Sequence, residues 1–208
     1  MPSEIIFFVN CFITLLSILD PFGASAILLS LTATQDEAQR NQVVARTMKA
    51  TVAILVVFAM AGGLIFAAFG ISISALMVAG GLILGNLGFK MILGMDVMER
   101  KMETGTAMAS AADDVAIIPL AMPLLAGPAA ISSVTVFAHR AAGSLEYSLL
   151  FAAIALASAL SYFILRNTLW IAATLGYNGM RVMIRVMGLI LLAMGAEFVM
   201  GGVKAYFL

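Results

Sequence analysis

The sequence predicts an all-α membrane protein with six transmembrane helices, arranged as two inverted three-helix repeats whose first and fourth helices are broken near the midplane. Three observations support this fold class: a very apolar composition, a proline in the middle of an apolar segment, and an internal repeat. Hydrophobic residues make up 63% of the 208 residues and charged residues 11%, with a mean hydropathy of +1.10. Soluble domains carry about 25% charged residues, so a soluble fold is excluded.

The first helix is predicted to break at Asp20-Pro21. The surrounding apolar segment, from Ile5 to about Leu31, is long enough to cross a hydrocarbon core of about 30 Å. Proline has no N–H and clashes with the preceding turn, so it ends the helix before it. Asp followed by Pro also favours a new helix start, with Asp as the N-cap. The second half-helix therefore begins inside the membrane, where its first N–H groups have no intrahelical partners.

The same interruption recurs 107 positions later, because Pro21 is matched by Pro128 in Gly127-Pro128. Further matches at this spacing are a serine, a Gly-Leu-Ile-Leu tetrapeptide and two glycines: Ser25 with Ser132, Gly81–Leu84 with Gly188–Leu191, Gly88 with Gly195, and Gly94 with Gly201. One spacing relates all of these residues without a gap. The sequence therefore predicts an internal duplication of the kind found in membrane transporters.

Repeat 1 is predicted to cover residues 1–95. After the broken first helix, a second helix runs from the basic segment at Arg40 to about Phe69, and a short uncharged turn leads to the third helix, from Ala75 to about Met95. Asn86 is the one neutral polar side chain of this third helix. Small residues allow another helix backbone to approach closely, and the helix carries five of them as glycines: Gly80, Gly81, Gly85, Gly88 and Gly94.

A polar cytoplasmic linker is predicted over residues 96–112 and repeat 2 over residues 113–208, so that a single transmembrane domain covers 1–208. Pro119, Pro123 and Pro128 prevent the fourth span from being a regular helix throughout, and a half-helix is expected to restart at Pro128. The fifth helix is predicted from Tyr147 to about Leu165, and the sixth from Met183 to Phe207.

Lysine and arginine residues concentrate on one predicted side of the membrane. The loops between helices one and two, three and four, and five and six, with the flanking helix ends, hold nine of the eleven; Arg140 and Lys204 lie on the other side. Cytoplasmic loops carry the excess of positive charge. We therefore expect a multi-pass protein of the plasma or inner membrane with both termini outside. Three spans per repeat is an odd number, so the second repeat must be inverted.

The residue inventory disfavours several classes of function. The chain has one cysteine, Cys11, and one histidine, His139, which argues against a disulfide framework, a zinc site or any other metal site. No cofactor is expected. The formal net charge is zero and no basic run is present, so no nucleic acid partner is expected. A membrane-embedded enzyme is disfavoured because no His, Asp and Glu constellation is evident.

The two helix breaks form the candidate substrate site. An α-carboxylate can bind the free N–H groups at the start of a half-helix, and an α-ammonium suits the Asp20 carboxylate and the carbonyl ends of the preceding half-helices. The glycine and alanine residues around both breaks offer no aromatic cage and no charge for a large substrate side chain, so small neutral amino acids are favoured. The candidate residues are Asp20, Pro21, Phe22, Gly23, Ala24, Ser25, Asn86, Gly127, Pro128, Ala129, Ala130 and Ser132.

Each of these features also has a purely structural explanation. Asp20 can act only as an N-cap, the two prolines can merely kink packed helices, and Asn86 can bond a neighbouring helix instead of a ligand. The glycine-rich third and sixth helices are better explained by packing than by ligand binding. For function, a channel or passive exporter of small polar solutes is the alternative, because broken helices also line pores.

Three segments resemble the MarC family of membrane proteins: Leu19-Asp20-Pro21-Phe22-Gly23, the stretch from Asp114 to Pro128, and the Gly80-Gly81 helix. The resemblance covers nearly the whole chain. It implies a transporter of small neutral amino acids such as glycine and alanine, of proton-coupled or exporter type. The expected partners are then the amino acid, the lipid bilayer and a coupling ion such as a proton or sodium, and a homo-oligomer is possible. Where the family often has Gly-Pro-Gly, this chain has Gly127-Pro128-Ala129, and the alanine narrows the room for a ligand.

Overall fold

The computed structural model describes residues 3–32, 35–94 and 125–207, and it is all-helical over these ranges. The predicted linker 96–112 and the first half of the fourth span lie outside the described residues. The seven helices in the described ranges are α1 (Ser3–Leu19), α2 (Pro21–Leu31), α3 (Glu37–Ala68), α4 (Ile73–Leu93), α5 (Pro128–Arg140), α6 (Ser144–Arg166) and α7 (Thr168–Phe207).

Five segments of the described chain are long and apolar enough to cross a membrane: Ser3–Ser25, Glu37–Ala68, Ile73–Leu93, Ser144–Arg166 and Arg181–Phe207. The prediction of an all-α membrane protein is therefore confirmed. α5 has only 13 residues. At a rise of about 1.5 Å per residue it spans about 20 Å, which is too short to cross a hydrocarbon core of about 30 Å without the residues before it.

Capping residues mark the starts of α3 and α4. Asp36 accepts a hydrogen bond from the Gln39 N–H at 2.7 Å, and the Gln39 side chain accepts one from the Asp36 N–H, which forms a capping box. Ser72 caps α4 by accepting from the Ala75 N–H at 3.1 Å. α3 and α4 are separated only by residues 69–72, so these consecutive spans cross the membrane in opposite directions.

α7 is interrupted at Gly176, which has φ 63° and ψ 179°. A side chain would strain this backbone conformation, so glycine is the residue that permits the kink. Gly176 lies 107 residues after Phe69, the first residue of the turn between α3 and α4. The kink thus stands at the repeat position of that turn, and it divides α7 into a short first part and the apolar span Arg181–Phe207.

α4 and α7 form the most extensive helix pair in the described chain. Their backbones touch at glycines: a Cβ atom at Gly81 would lie 2.6 Å from the Gly195 carbonyl oxygen, and a Cβ atom at Gly88 would lie 2.5 Å from the Gly188 carbonyl oxygen. No side chain fits at either place. The earlier glycine of α4 meets the later glycine of α7, so the two helices are antiparallel.

These two contacts are reciprocal under the sequence repeat. Gly81 matches Gly188 and Gly88 matches Gly195 at the spacing of 107. If each glycine of the Gly81–Gly195 contact is replaced by its partner at this spacing, the result is the Gly188–Gly88 contact. A two-fold rotation produces this pattern, in which residue i meets residue j and the equivalent of j meets the equivalent of i. The midpoint of the pair lies level with residues 84–85 of α4 and 191–192 of α7.

We predict that Gly88→Ala destabilises the protein by about 1–3 kcal/mol, the usual cost of overpacking, because the new methyl group would meet backbone atoms of α7. Gly85→Ala is the matched control. It makes the same change one turn away on α4, where a Cβ atom would meet only the end of the Leu192 side chain at 3.9 Å. Thermal unfolding in detergent measures the difference. Equal stability of the two variants would contradict the close backbone contact.

Candidate functional site

The predicted break in the first span is present. Asp20 has φ 38° and ψ 63°, and it is the only residue other than glycine with positive φ in the described chain. The Asp20 N–H still donates to the Leu16 carbonyl at 3.2 Å, whereas the next hydrogen bond between backbone groups runs from the Ala24 N–H to the Asp20 carbonyl at 2.9 Å. Pro21 has no N–H, so the Ser17 carbonyl loses its intrahelical donor. α1 therefore ends and α2 restarts within one apolar segment.

Asp20 caps the new helix. Its carboxylate oxygen Oδ1 accepts a hydrogen bond from the Gly23 N–H at 3.2 Å. The side chain is only 7% exposed, which places a carboxylate inside the apolar bundle. The capping role considered from the sequence is thus present, and a role in substrate binding stays a prediction.

Gly23 makes room for this cap. A Cβ atom at Gly23 would lie 2.9 Å from Cγ of Asp20 and closer still to Oδ2. The space that a side chain at Gly23 would occupy is therefore already filled by the Asp20 carboxylate. Gly23 allows the Asp20 carboxylate to fold back over the first turn of α2. This local packing explains why position 23 is a glycine, without any ligand.

The second helix start has no side-chain cap. α5 begins at Pro128 with Gly127 in the N-cap position, and Gly127 has no side chain that could cap the first N–H groups. The Ile131 N–H donates to the Gly127 carbonyl at 3.0 Å and closes the first turn. The N–H groups of Ala129 and Ala130 precede this turn, where a helix offers no internal acceptor. Gly127 stands at the repeat position of Asp20, so the two starts differ by one carboxylate.

The contact of α4 with α5 gives the depth of the second helix start. Gly80 lies against Ser132, and Met77 lies against Arg140, whose Nη2 is 3.6 Å from the methionine sulfur, so the two helices are antiparallel. Five residues after Gly80, α4 reaches the midpoint of its contact with α7. Five residues before Ser132, the chain reaches Gly127. At about 1.5 Å per residue on both helices, Gly127 is level with that midpoint.

The predicted site residues fall into two groups. Asp20, Pro21, Ala24, Ser25, Gly127, Ala129, Ala130 and Ser132 are buried, and Phe22 and Gly23 are half-buried; Pro128 and Asn86 are exposed. The Ser25 hydroxyl donates to the Pro21 carbonyl at 2.7 Å, and the Ser132 hydroxyl donates to the Ala129 carbonyl at 3.0 Å. Both hydroxyl hydrogens are therefore used within their own helices. The structure does not bring Asn86 to either helix start, since its side chain lies on the exposed face of α4.

A set of buried hydroxyl groups was not predicted from the sequence. Thr51, Ser133, Ser158 and Ser161 each have a buried hydroxyl oxygen without a hydrogen-bond partner in the structure. Thr51 on α3 and Ser158 on α6 are 107 residues apart, and these two helices pack against each other. A search for hydroxyl residues that recur inside apolar spans at the repeat spacing would have found this pair.

No group of three or more potential metal-ligating side chains occurs among residues 3–32, 35–94 and 125–207. The described chain is instead an all-helical bundle with five apolar spans, a buried carboxylate at one interrupted helix and an uncapped helix start at the other. These features define an integral membrane protein. The model of the MarC family, described as MarC family integral membrane protein, matches residues 5–207, and the chain belongs to this family.

Similar proteins come from both bacteria and archaea. The chain is 34% identical over 200 residues to the UPF0056 membrane protein YhcE of Escherichia coli (strain K12), covering 94% of this chain and 91% of that protein. It is 32% identical over 201 residues to a UPF0056 membrane protein of Methanocaldococcus jannaschii, covering 95% and 96%. It is 31% identical over 201 residues to one of Pyrococcus abyssi, covering 96% of each chain. No solved structure matches the chain.

The packing at Asp20 predicts a compensating pair of substitutions. Gly23→Ala alone should lower the thermal stability in detergent, because the methyl group would collide with the Asp20 carboxylate. Adding Asp20→Gly removes that carboxylate, and glycine readily adopts the positive φ of this position. As an N-cap, glycine stabilises a helix only a few tenths of a kcal/mol less than aspartate does. The double variant should therefore be more stable than Gly23→Ala. If the double variant is less stable than Gly23→Ala, the Asp20 carboxylate is not what restricts position 23 to glycine.

Proposed function

We propose that this chain is a secondary transporter of small neutral amino acids, of the glycine and alanine type, built from two inverted three-helix repeats. Transport is coupled to a proton or another cation, or proceeds by exchange, and the chain has no enzymatic activity. The observation that carries the proposal is the pair of helix starts inside the bundle, at Asp20-Pro21 and Gly127-Pro128. In transporters with inverted repeats, such interrupted helices bind the substrate near the bilayer midplane.

The reciprocal glycine contacts between α4 and α7 support the inverted repeat. The two helices are antiparallel, and the contacts exchange under the spacing of 107. A two-fold axis that exchanges antiparallel membrane-spanning helices is perpendicular to them and so lies in the membrane plane. Gly127 is level with the midpoint of this contact. The same axis would bring Asp20, the repeat equivalent of Gly127, to the same depth. In this proposal repeat 1 comprises residues 1–95 and repeat 2 residues 113–208.

The chemistry of the two helix starts supports a small zwitterionic substrate. Asp20 supplies a buried carboxyl group, and the start of α5 supplies N–H groups without a side-chain cap. Ala24, Ala129 and Ala130, which follow these helix starts closely in the chain, are buried and have methyl side chains. A substrate with one ammonium, one carboxylate and a side chain no larger than a methyl group matches this combination.

The distribution of lysine and arginine supports a multi-pass orientation in the plasma or inner membrane with both termini outside. Asp36 and Glu37 at the start of α3 then lie on the cytoplasmic side, followed by Arg40, which bonds the Thr32 hydroxyl at 3.0 Å. The turn between α3 and α4 lies on the outer side and carries no charge.

Counterflow in proteoliposomes tests the function. The purified full-length chain is reconstituted, loaded with unlabelled glycine, and diluted into a trace of labelled glycine. A transporter should accumulate label transiently above the level of empty liposomes, with a rate that saturates with external glycine. Unlabelled alanine loaded inside the liposomes should drive the same accumulation of labelled glycine, whereas unlabelled leucine should not. Flux that does not saturate and does not depend on internal substrate would instead identify the channel, and no flux of either amino acid would contradict the proposal.

A further inference from the structure

Resting on the proposed function, we infer that the amino acid binds in one orientation, with its carboxylate at the start of α5 beside the Thr51 hydroxyl and its ammonium group at Asp20. Two independent observations carry the inference. The first helix start has a carboxyl group as its cap and the second has none, and Thr51 is a completely buried hydroxyl residue without a hydrogen-bond partner among the described residues.

The difference between the two starts separates the two ends of the substrate. Each helix N-terminus attracts an anion through its free N–H groups and the helix dipole. At α2, the Asp20 carboxylate already occupies this position and bonds the Gly23 N–H. A second carboxylate there would have to compete with Asp20 for the same N–H groups. At α5, Gly127 brings no charge, so the substrate carboxylate is favoured there. The ammonium group is favoured beside Asp20.

Thr51 lies on the face of α3 that packs against α5. The Thr135 hydroxyl of α5 contacts the Phe58 carbonyl at 3.3 Å, and Gly62 lies against the same threonine side chain. Thr51 precedes Phe58 by seven residues and Gly62 by eleven, or about two and three helical turns at 3.6 residues per turn. The three residues therefore share one face of α3, and the Thr51 side chain points to the side on which α5 lies.

The depth of Thr51 matches the start of α5. α3 and α4 are consecutive spans in opposite directions, and α4 is antiparallel to α5, so α3 and α5 run in the same direction. Thr51 precedes Phe58 by seven residues on α3, and Pro128 precedes Thr135 by seven residues on α5. At a rise of about 1.5 Å per residue, Thr51 and Pro128 both lie about 10 Å along their helices from the contact between Phe58 and Thr135. The Thr51 hydroxyl is thus level with the N–H groups of Ala129 and Ala130.

A hydroxyl group in this position can donate a hydrogen bond to a carboxylate. Leaving a buried hydroxyl unpaired is unfavourable, and Thr51 is 0% exposed. A substrate carboxylate would supply the missing acceptor and would also accept hydrogen bonds from the first N–H groups of α5. The Thr51 hydroxyl and the α5 start then act together as the carboxylate-binding half of the site.

Thr51→Val tests the inference, because valine keeps the shape of threonine and removes only the hydroxyl. We expect a KM for glycine about tenfold higher in proteoliposomes, with unchanged or higher thermal stability in detergent. Thr51→Ser keeps the hydroxyl and should remain within about threefold of the wild type. An unchanged KM in Thr51→Val would overturn the role of this hydroxyl. Absence of glycine counterflow in the wild type would instead defeat the proposed function, so the two failures are distinguishable.

Two competitors assign the ends of the substrate. Glycinamide keeps the ammonium group and lacks the carboxylate, and glycolate keeps the carboxylate and lacks the ammonium group. Thr51→Val should weaken inhibition by glycolate and leave inhibition by glycinamide within twofold of the wild type. Asp20→Asn keeps an N-cap acceptor and should have the opposite effect, weakening glycinamide only. The reverse pattern, or equal weakening of both competitors by each variant, would overturn the assigned orientation.

Discussion

Backbone atoms of α4 and α7 touch through Gly81, Gly88, Gly188 and Gly195, and the arrangement of the other helices depends on this contact. In a lipid environment the hydrophobic effect does not drive helices together, so close packing of small residues supplies the association energy. α5 lies across α4 through Gly80 and Ser132, and the register of that contact brings Gly127 level with the middle of the glycine contact. A larger residue at any of the four positions would meet backbone atoms of the facing helix.

The interrupted helices are tolerated because the bundle covers them. Free backbone groups at membrane depth are acceptable only where protein surrounds them or where they line a cavity. Asp20 satisfies one N–H of α2 and is itself 7% exposed. The start of α5 has no equivalent side chain, and the unpartnered hydroxyl of Thr51 lies level with it. The two helix starts, 107 residues apart, thus differ chemically, because the first has an aspartate where the second has a glycine.

The sequence predicted those features that a single residue type determines. Pro21 and Pro128 set the two helix starts, because proline cannot continue a helix, and the spacing of 107 identified the glycines that later proved to be in contact. Features that depend on which faces meet were not accessible. The pairing of Gly81 with Gly195, the exposed position of Asn86 and the unpartnered hydroxyl of Thr51 all require the packing of distant helices. Gly23 was assigned to the wall of a substrate site, whereas the structure places the Asp20 carboxylate in that space.

In the proposed architecture the second repeat is inverted relative to the first, and the sidedness of two positions in the membrane tests this inversion. The only cysteine, Cys11, is buried and is replaced by alanine. Single cysteines are then introduced at Ser72, in the turn after α3, and at Asn178, close to the equivalent kink in α7; both positions are exposed. If the second repeat is inverted, a membrane-impermeant maleimide should label Ser72→Cys on intact cells and Asn178→Cys only after the membrane is disrupted. Labelling of both positions from the same side would contradict it.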